Sequence, residues 1–287
     1  MSRIVYVDGR YLPYASAGVH VEDRGFQLGD AVYEVIQVLD GRLVDEPRHL
    51  QRLERSLAEL AVRRPMSRAA LSRVLREAIR RNRVRNGSVY LQVSRGAAPR
   101  DFVFPSADVA PTVVCIARAL SYEAIERRAA EGIAVKTVPD TRWERCDIKT
   151  VMLLPACLAK EAARQDGARE AWFVDQDGFV TEGASSNAWI VDAHGRLVTR
   201  KADRHILRGV TRTTLLDALA GQKVELVERP FTVAEAKAAR EAFITSATNT
   251  VMPVVAIDAA RIGNGRPGEV TLRLRRAFLA AADIATI

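Results

Sequence analysis

Residues 142–160 read RWERCDIKTVMLLPACLAK, where charged residues give way after Lys149 to an apolar run. The pattern predicts a helix over 150–165 with Lys149 just outside its start. There the lysine stem is expected to be buried and its amine desolvated, which lowers an ammonium pKa and favours the free nucleophile. Such an amine can form a Schiff base. Taken alone, a lysine at an element boundary is more often a plain surface residue, so other stretches have to decide.

Residues 180–192, VTEGASSNAWIVD, put Glu182 beside a glycine and hydroxyl turn that feeds an apolar strand. A lysine that binds pyridoxal phosphate needs a distant carboxylate to keep the pyridine nitrogen protonated, because only then is the ring an efficient electron sink. Glu182 meets that need. With RGFQLGDAVYE at residues 24–34, these segments resemble the fold-type IV pyridoxal-phosphate aminotransferases, and most nearly the D-amino-acid aminotransferases. The family's order is kept over nearly the whole chain. The resemblance implies Lys149 as the catalytic residue and pyridoxal 5'-phosphate as the cofactor. It also implies an α+β protein of two α/β domains with the cofactor between them, a small one over residues 1–119 and a larger, cofactor-binding one over residues 120–287.

Composition agrees with a soluble globular protein and excludes several other classes. The 287 residues are 48% hydrophobic and 6% aromatic, enough to bury one large core or two smaller ones. No apolar run approaches the roughly 20 residues of a membrane span. The opening MSRIVY lacks the apolar core of a secretion signal, so a cytoplasmic protein is expected. Cys115, Cys146 and Cys157 show no CxxC spacing and the four histidines no i, i+4 pair, so neither disulfides nor a metal site is expected. The net charge of +8 rests on arginines spread around helices, among them Arg68, Arg73, Arg76 and Arg80, with no interleaved aromatic residues to stack bases. A solvated face is expected there, and no nucleic acid.

Along the chain, residues 4–7, the turn Asp8-Gly9 and residues 10–12 predict a β-hairpin, and residues 31–39, Asp40-Gly41 and residues 42–44 a second. Apolar stripes predict helices over 46–60 (Leu50, Leu53, Leu57, Leu60) and 67–83 (Leu71, Val74, Leu75, Ala78, Ile79), the latter capped by Ser67. Strands at 88–94 and 112–117 complete a sheet with helices on one side. Beyond a short helix near 119–130, strands are expected at 133–138, 170–174, 179–181, 188–191 and 196–199. A helix at 213–219, further helix and strand through Ile257, and a last helix at 269–281 follow.

A phosphate group wants backbone amides at a helix start together with a cation. Leu207-Arg208-Gly209-Val210-Thr211 precedes the 213–219 helix, so the Val210 and Thr211 amides and the Thr211 hydroxyl would point at an anion. An ordinary capped helix is the bland alternative. In the resembled family this loop binds the phosphate, and the residue at Leu207 packs against the ring. A second stretch offers Ser246 and, where the family has a phosphate-binding threonine, Ala247, whose amide alone serves unless Thr248 shifts in. The resemblance makes Arg52 the phosphate arginine and Arg142 an arginine near the cofactor.

Residues 96–105, GAAPRDFVFP, bear on the substrate. A carboxylate is matched by a forked guanidinium. The resemblance casts Arg100 and Tyr33 as a carboxylate trap, with the arginine's loop reaching across from the other subunit of a homodimer. The family motif is Arg-x-His, and here the histidine position is Phe102, which cannot donate a hydrogen bond. That departure bears on the D-alanine and D-glutamate preference but leaves the principal cation in place. The implied function is transfer of the amino group of a D-amino acid such as D-alanine to a 2-oxo acid, pyruvate or 2-oxoglutarate, through a Lys149 Schiff base. Alternatives in the same fold are an (R)-selective primary-amine transaminase, a branched-chain L-amino-acid aminotransferase and an aminodeoxychorismate lyase. A binding protein without catalysis is the other class, and Lys149 with Glu182 argues against it.

Overall fold

Two Asp-Gly turns shape the first sheet. Asp8 and Gly9 (φ 44° and 86°) and Asp40 and Gly41 (φ 50° and 78°) all lie in the left-handed region, the geometry that matches a two-residue turn to strand twist. They join β1 (Ile4–Val7) to β2 (Arg10–Pro13) and β3 (Ala31–Leu39) to β4 (Arg42–Leu43). The structure is a computed structural model that describes residues 3–219 and 224–284.

One compact unit comprises Met1–Tyr122, Ile148–Met152 and Asp283–Ile287. Besides the hairpins it holds α1 (Arg24–Leu28), α2 (Glu46–Glu59), α3 (Arg68–Asn82), β5 (Gly87–Ser94) and β6 (Val113–Ala119). Its strands run antiparallel in the order β2-β1-β6-β5-β3-β4. α2 packs on β3 and α3 on β1, β5 and β6, burying Leu50, Leu53, Leu57, Leu71, Leu75 and Ile79, each worth roughly 1.5–3 kcal/mol of transfer energy. The Ser67 hydroxyl accepts from the Ala70 amide at 3.2 Å and caps α3 as expected.

The other unit comprises Glu123–Asp147 and Leu153–Ala282. It takes in all but the first residue of α4 (Tyr122–Glu131), then β7 (Ile133–Pro139), α5 (Leu154–Gln165), β8 (Glu170–Val174), β9 (Val180–Gly183), β10 (Asn187–Val191), β11 (Leu197–Thr199) and α6 (Val210–Ala218). β12 (Leu226–Glu228), α7 (Val233–Ala238), β13 (Glu241–Ser246), β14 (Thr250–Ile257), β15 (Ala260–Arg261) and α8 (Glu269–Ala281) follow. The sheet order is β12-β11-β10-β13-β14-β7-β8-β9, with β15 on β14. β7 pairs parallel with β14 and β8, and β11 with β12, in an otherwise antiparallel sheet. Trp189 stacks on Phe243 of the neighbouring strand at 5.5 Å, and its indole N–H donates to the Thr245 hydroxyl at 3.0 Å.

Two helix starts differ from expectation. α5 begins at Leu154, so the helix predicted to open at residue 150 starts later. Thr150 and Val151 extend the chain along β3 instead: Thr150 bridges Val32, and the Val151 amide donates to the Ala31 carbonyl at 3.1 Å. β-Branched residues suit that pairing, while Pro155 in the first turn of α5 loses no helical hydrogen bond. α6 begins at Val210, earlier than the predicted Thr213, because Gly209 serves as its N-cap.

Candidate active site

Alternation along β3 puts Tyr33 and Glu34 on opposite faces of the first sheet. On one face Tyr33 stacks against Tyr90 of β5 at 5.6 Å, and the Lys149 amine lies 4.3 Å from the centre of the Tyr33 ring. The aromatic face attracts that amine when it is charged. Lys149 is held from both sides by its backbone. Its carbonyl accepts from the Tyr33 amide at 3.0 Å, and its own amide donates to the Ser56 hydroxyl at 3.3 Å. The side chain is half-buried, not enclosed as a helix start would have it, because the chain here follows β3.

On the other face Glu34 is fully buried (0% exposed) against α2. Its carboxylate accepts from Arg52 Nε at 2.8 Å and Nη2 at 2.7 Å, and lies 2.7 Å from His49 Nδ1. Burial favours the protonated acid, but the Arg52 charge and the Arg52 and His49 hydrogen bonds outweigh it and pull Glu34 down to about 2. Burial pushes the His49 pKa down, against the pull of Glu34. The ring is neutral at pH 7, with Nδ1–H donating to the carboxylate. Arg52 therefore stands with a fixed guanidinium one helical turn before Ser56, the residue that holds the Lys149 amide.

Arg100 and Phe102 lie on an exposed loop, Phe102 80% exposed, with the Arg100 guanidinium 5.6 Å from the Phe102 ring. The loop is rooted by two arginines. Arg24 Nη1 donates to the Asp101 carbonyl at 2.7 Å, the Arg95 guanidinium lies 3.6 Å over Phe104, and Asp30 bridges both arginines at 2.9 and 2.7 Å.

In the second unit Glu182 closes β9 as the acceptor of a converging set. Arg142 Nη1 donates to it, Asn187 Nδ2 donates at 3.0 Å, and the Leu207 amide reaches both carboxylate oxygens at 3.2 and 3.1 Å. Arg142 is held in turn by Asp140, through Nε at 2.9 Å and Nη2 at 2.7 Å, and the Thr181 hydroxyl donates to Asp140 at 2.8 Å. Burial raises Asp140, but the Arg142 hydrogen bonds and charge hold it below the usual carboxylate range. Burial works against the Arg142 charge, and Asp140 and Glu182 more than offset it, raising its pKa.

Asn187 ties this carboxylate to the helix start. Its Nδ2 also donates to the Leu207 carbonyl at 2.8 Å, and a Cβ at Gly209 would collide with its side-chain oxygen, so only glycine allows the approach. Gly209 caps α6 with no side-chain hydrogen bond. The first-turn amides of Val210 and Thr211 are therefore available to an anion, which the positive end of the helix dipole favours. Asn187 pairs with Thr245, the residue before Ser246. The Ser246 hydroxyl accepts from the Asn249 amide at 3.4 Å, and Ala247 follows in the turn before β14.

The sequence pattern of the family described as amino-transferase class IV matches residues 31–257, a span that includes Lys149, Glu182 and the start of α6. The chain belongs to the class IV aminotransferases. The D-alanine aminotransferase of Staphylococcus haemolyticus is 36% identical over 274 residues, 96% of each chain. That of Bacillus licheniformis is 37% identical over 96% of this chain and 95% of its own. The branched-chain amino acid aminotransferase of Escherichia coli shares the fold, with a TM-score of 0.86 at 23% identity over 98% of this chain and 94% of that one.

The cofactor of a class IV aminotransferase is pyridoxal 5'-phosphate, and this chain's residues fit it. A lysine amine is presented beside an aromatic ring. A buried carboxylate, Glu182, lies within a ring of donors, and the helix start at Gly209 has no side-chain cap. In this class IV aminotransferase several supporting groups escaped the sequence reading: Glu34, His49, Ser56, Asp140 and Asn187. Two carried a signal. Glu34 is a charged residue amid the apolar β3 run, and Asp140 stands two positions before Arg142, the spacing of a local carboxylate–guanidinium pair.

Proposed function

We propose that this chain is a cytoplasmic, homodimeric transaminase that uses pyridoxal 5'-phosphate to move the amino group of a D-amino acid, D-alanine or one close to it, to a 2-oxo acid such as pyruvate or 2-oxoglutarate. One observation carries the substrate class: relatives 36% and 37% identical over 96% of this chain are D-alanine aminotransferases. Bound pyridoxal phosphate supplies an electron sink for the negative charge that develops at the substrate α-carbon. Lys149 Nζ would hold the cofactor and, once freed by the substrate amine, would take the substrate α-proton as general base and return it as general acid.

Glu182 would hold a proton on the ring nitrogen, with Arg142, Asn187 and the Leu207 amide orienting that carboxylate. Leu207 would pack against the ring. Arg52, the Gly209 turn with the Val210 and Thr211 amides, the Thr211 and Ser246 hydroxyls and the Ala247 amide would bind the phosphate. Tyr33 and the Arg100 of a second copy bind the substrate carboxylate, with Phe102 beside them. Lys149→Ala is expected to abolish turnover, and borohydride reduction of the wild type to fix the cofactor on Lys149. Mixing Lys149→Ala with Arg100→Ala subunits restores activity if sites are shared between copies. Full turnover by Lys149→Ala without added amine removes the catalytic assignment, and no recovery after verified subunit exchange removes the shared site.

Phe102 sets the second test. A charge-assisted hydrogen bond contributes about 1.5–3 kcal/mol, so its absence weakens carboxylate binding roughly 10- to 100-fold and favours donors without that carboxylate, such as (R)-configured primary amines. Phe102→His is expected to lower the KM for D-alanine and to reduce any activity on (R)-amines. Unchanged KM for both donors would end this account of Phe102. A wild type that prefers L-leucine would overturn the D-amino-acid assignment.

A further inference from the structure

We infer that Glu34 is a positioning residue for phosphate recognition: from the buried face of β3 it fixes the plane of the Arg52 guanidinium, so that the arginine meets the cofactor's phosphate pre-oriented. The inference rests on the reading of Arg52 as a phosphate ligand. Its geometry stands apart from that reading. Two parallel hydrogen bonds, Nε to Oε1 at 2.8 Å and Nη2 to Oε2 at 2.7 Å, lock a planar group in one orientation. His49 adds a third bond at 2.7 Å from the same helix and holds the carboxylate itself in place.

Stability alone does not account for the arrangement. Desolvating a carboxylate and a guanidinium costs about as much as their attraction returns, and apolar residues of the same volume stabilise a core at least as well. Simple charge matching does not account for it either. Glu34 cancels the Arg52 charge, which by itself weakens the pull on a phosphate. What the pair contributes is order: a rotamer-rich side chain is held in one geometry before the ligand arrives, so its immobilisation is not charged against binding. The same helix carries Ser56 one turn further on, where its hydroxyl holds the Lys149 amide at 3.3 Å. A carboxylate on β3 therefore orients Arg52 on the same helix that, through Ser56, holds the lysine.

Binding of pyridoxal phosphate and of pyridoxal, which lacks the phosphate, is measured by absorbance on the cofactor-free full-length protein, for wild type, Glu34→Gln, Glu34→Asp and Arg52→Gln. Thermal melts check folding. Glu34→Gln is expected to lose roughly tenfold or more in affinity for pyridoxal phosphate, with pyridoxal unchanged. Glu34→Asp keeps the charge but withdraws it by one methylene. Its loss for pyridoxal phosphate alone would show that position matters, and it serves as the test should Glu34→Gln fail to fold. Equal losses for both ligands would make Glu34 structural and overturn the inference. Tighter binding of pyridoxal phosphate by Glu34→Gln, or no change in Glu34→Asp, would show a charge effect only and overturn it as well. Arg52→Gln separates the two levels. If it leaves pyridoxal phosphate binding intact, the phosphate role of Arg52 falls and the inference with it; if it discriminates the two ligands while the Glu34 variants do not, the inference alone falls.

Discussion

Two buried carboxylate–arginine clusters, Glu34 with Arg52 in the first unit and Asp140 and Glu182 with Arg142 in the second, differ by one charge. In the first, Glu34 faces Arg52 and a neutral His49, so these three groups sum to zero. In the second, Arg142 is shared by two carboxylates, Asp140 and Glu182, so the cluster keeps one net negative charge. On the proposed reading, the first cluster serves a phosphate and the second a protonated ring nitrogen. Asp140 makes the difference. By accepting two hydrogen bonds from the Arg142 guanidinium it would, on the proposed reading, leave Glu182 the charge to hold a proton on the cofactor.

The largest effect is expected where the surplus charge itself is removed. Glu182→Gln should retain cofactor, read by absorbance, while kcat falls on the order of 10²- to 10³-fold, the scale of losing one pre-organised electrostatic partner. A kcat near wild type would mean that the charge of this cluster does not matter. Asp140→Asn gives the second cluster the charge of the first. With Arg142 no longer shared, Glu182 should hold the ring proton about one pKa unit less firmly and kcat should fall roughly tenfold with KM little changed. Unchanged kcat would break the comparison.

The smallest effect separates the clusters by acid stability. His49 is held neutral when folded, so the unfolded chain takes its proton first, and stability falls as pH drops below 6.5. Glu34 has a depressed folded pKa. Its contribution is complete above its ordinary 4.5 and is lost as pH falls toward about 2, on the order of 3 kcal/mol in all. Asp140, also depressed, begins to lose its contribution only below 3.8. Melting curves of His49→Gln should be flatter than wild type just below pH 6.5, and those of Asp140→Asn only below about pH 4, by a few degrees in each case. Identical pH profiles for both variants would show that the clusters do not titrate as described.

What the sequence disclosed and what it hid divide by range. α2 and α3 were legible because their apolar stripes and the Ser67 cap are local signals, and the Asp-Gly hairpins were legible because a two-residue turn has few solutions. The start of α5 was not. Thr150 and Val151 look like the opening of an apolar helix until β3 is present to pair with them. The partners Glu34–Arg52 and Glu182–Asn187 depend on which strand faces which helix or loop, and no local pattern carries that. Gly209 was read as part of a phosphate loop, but its collision with Asn187, the physical reason it is glycine, needs the second strand in place.

The hydrogen bonds that hold Lys149 also bear on assembly. Its amide is bound by Ser56, 93 residues earlier in the chain, and its carbonyl by Tyr33. Contacts of such separation are entropically costly to close and form late in folding. A nascent or partly unfolded chain therefore carries Lys149 as one lysine among others, with no strand behind it and no aromatic face beside it. On the proposed role of Lys149, the nucleophile would be complete only once the sheet is, and attachment of the aldehyde would report that this part of the protein has finished folding.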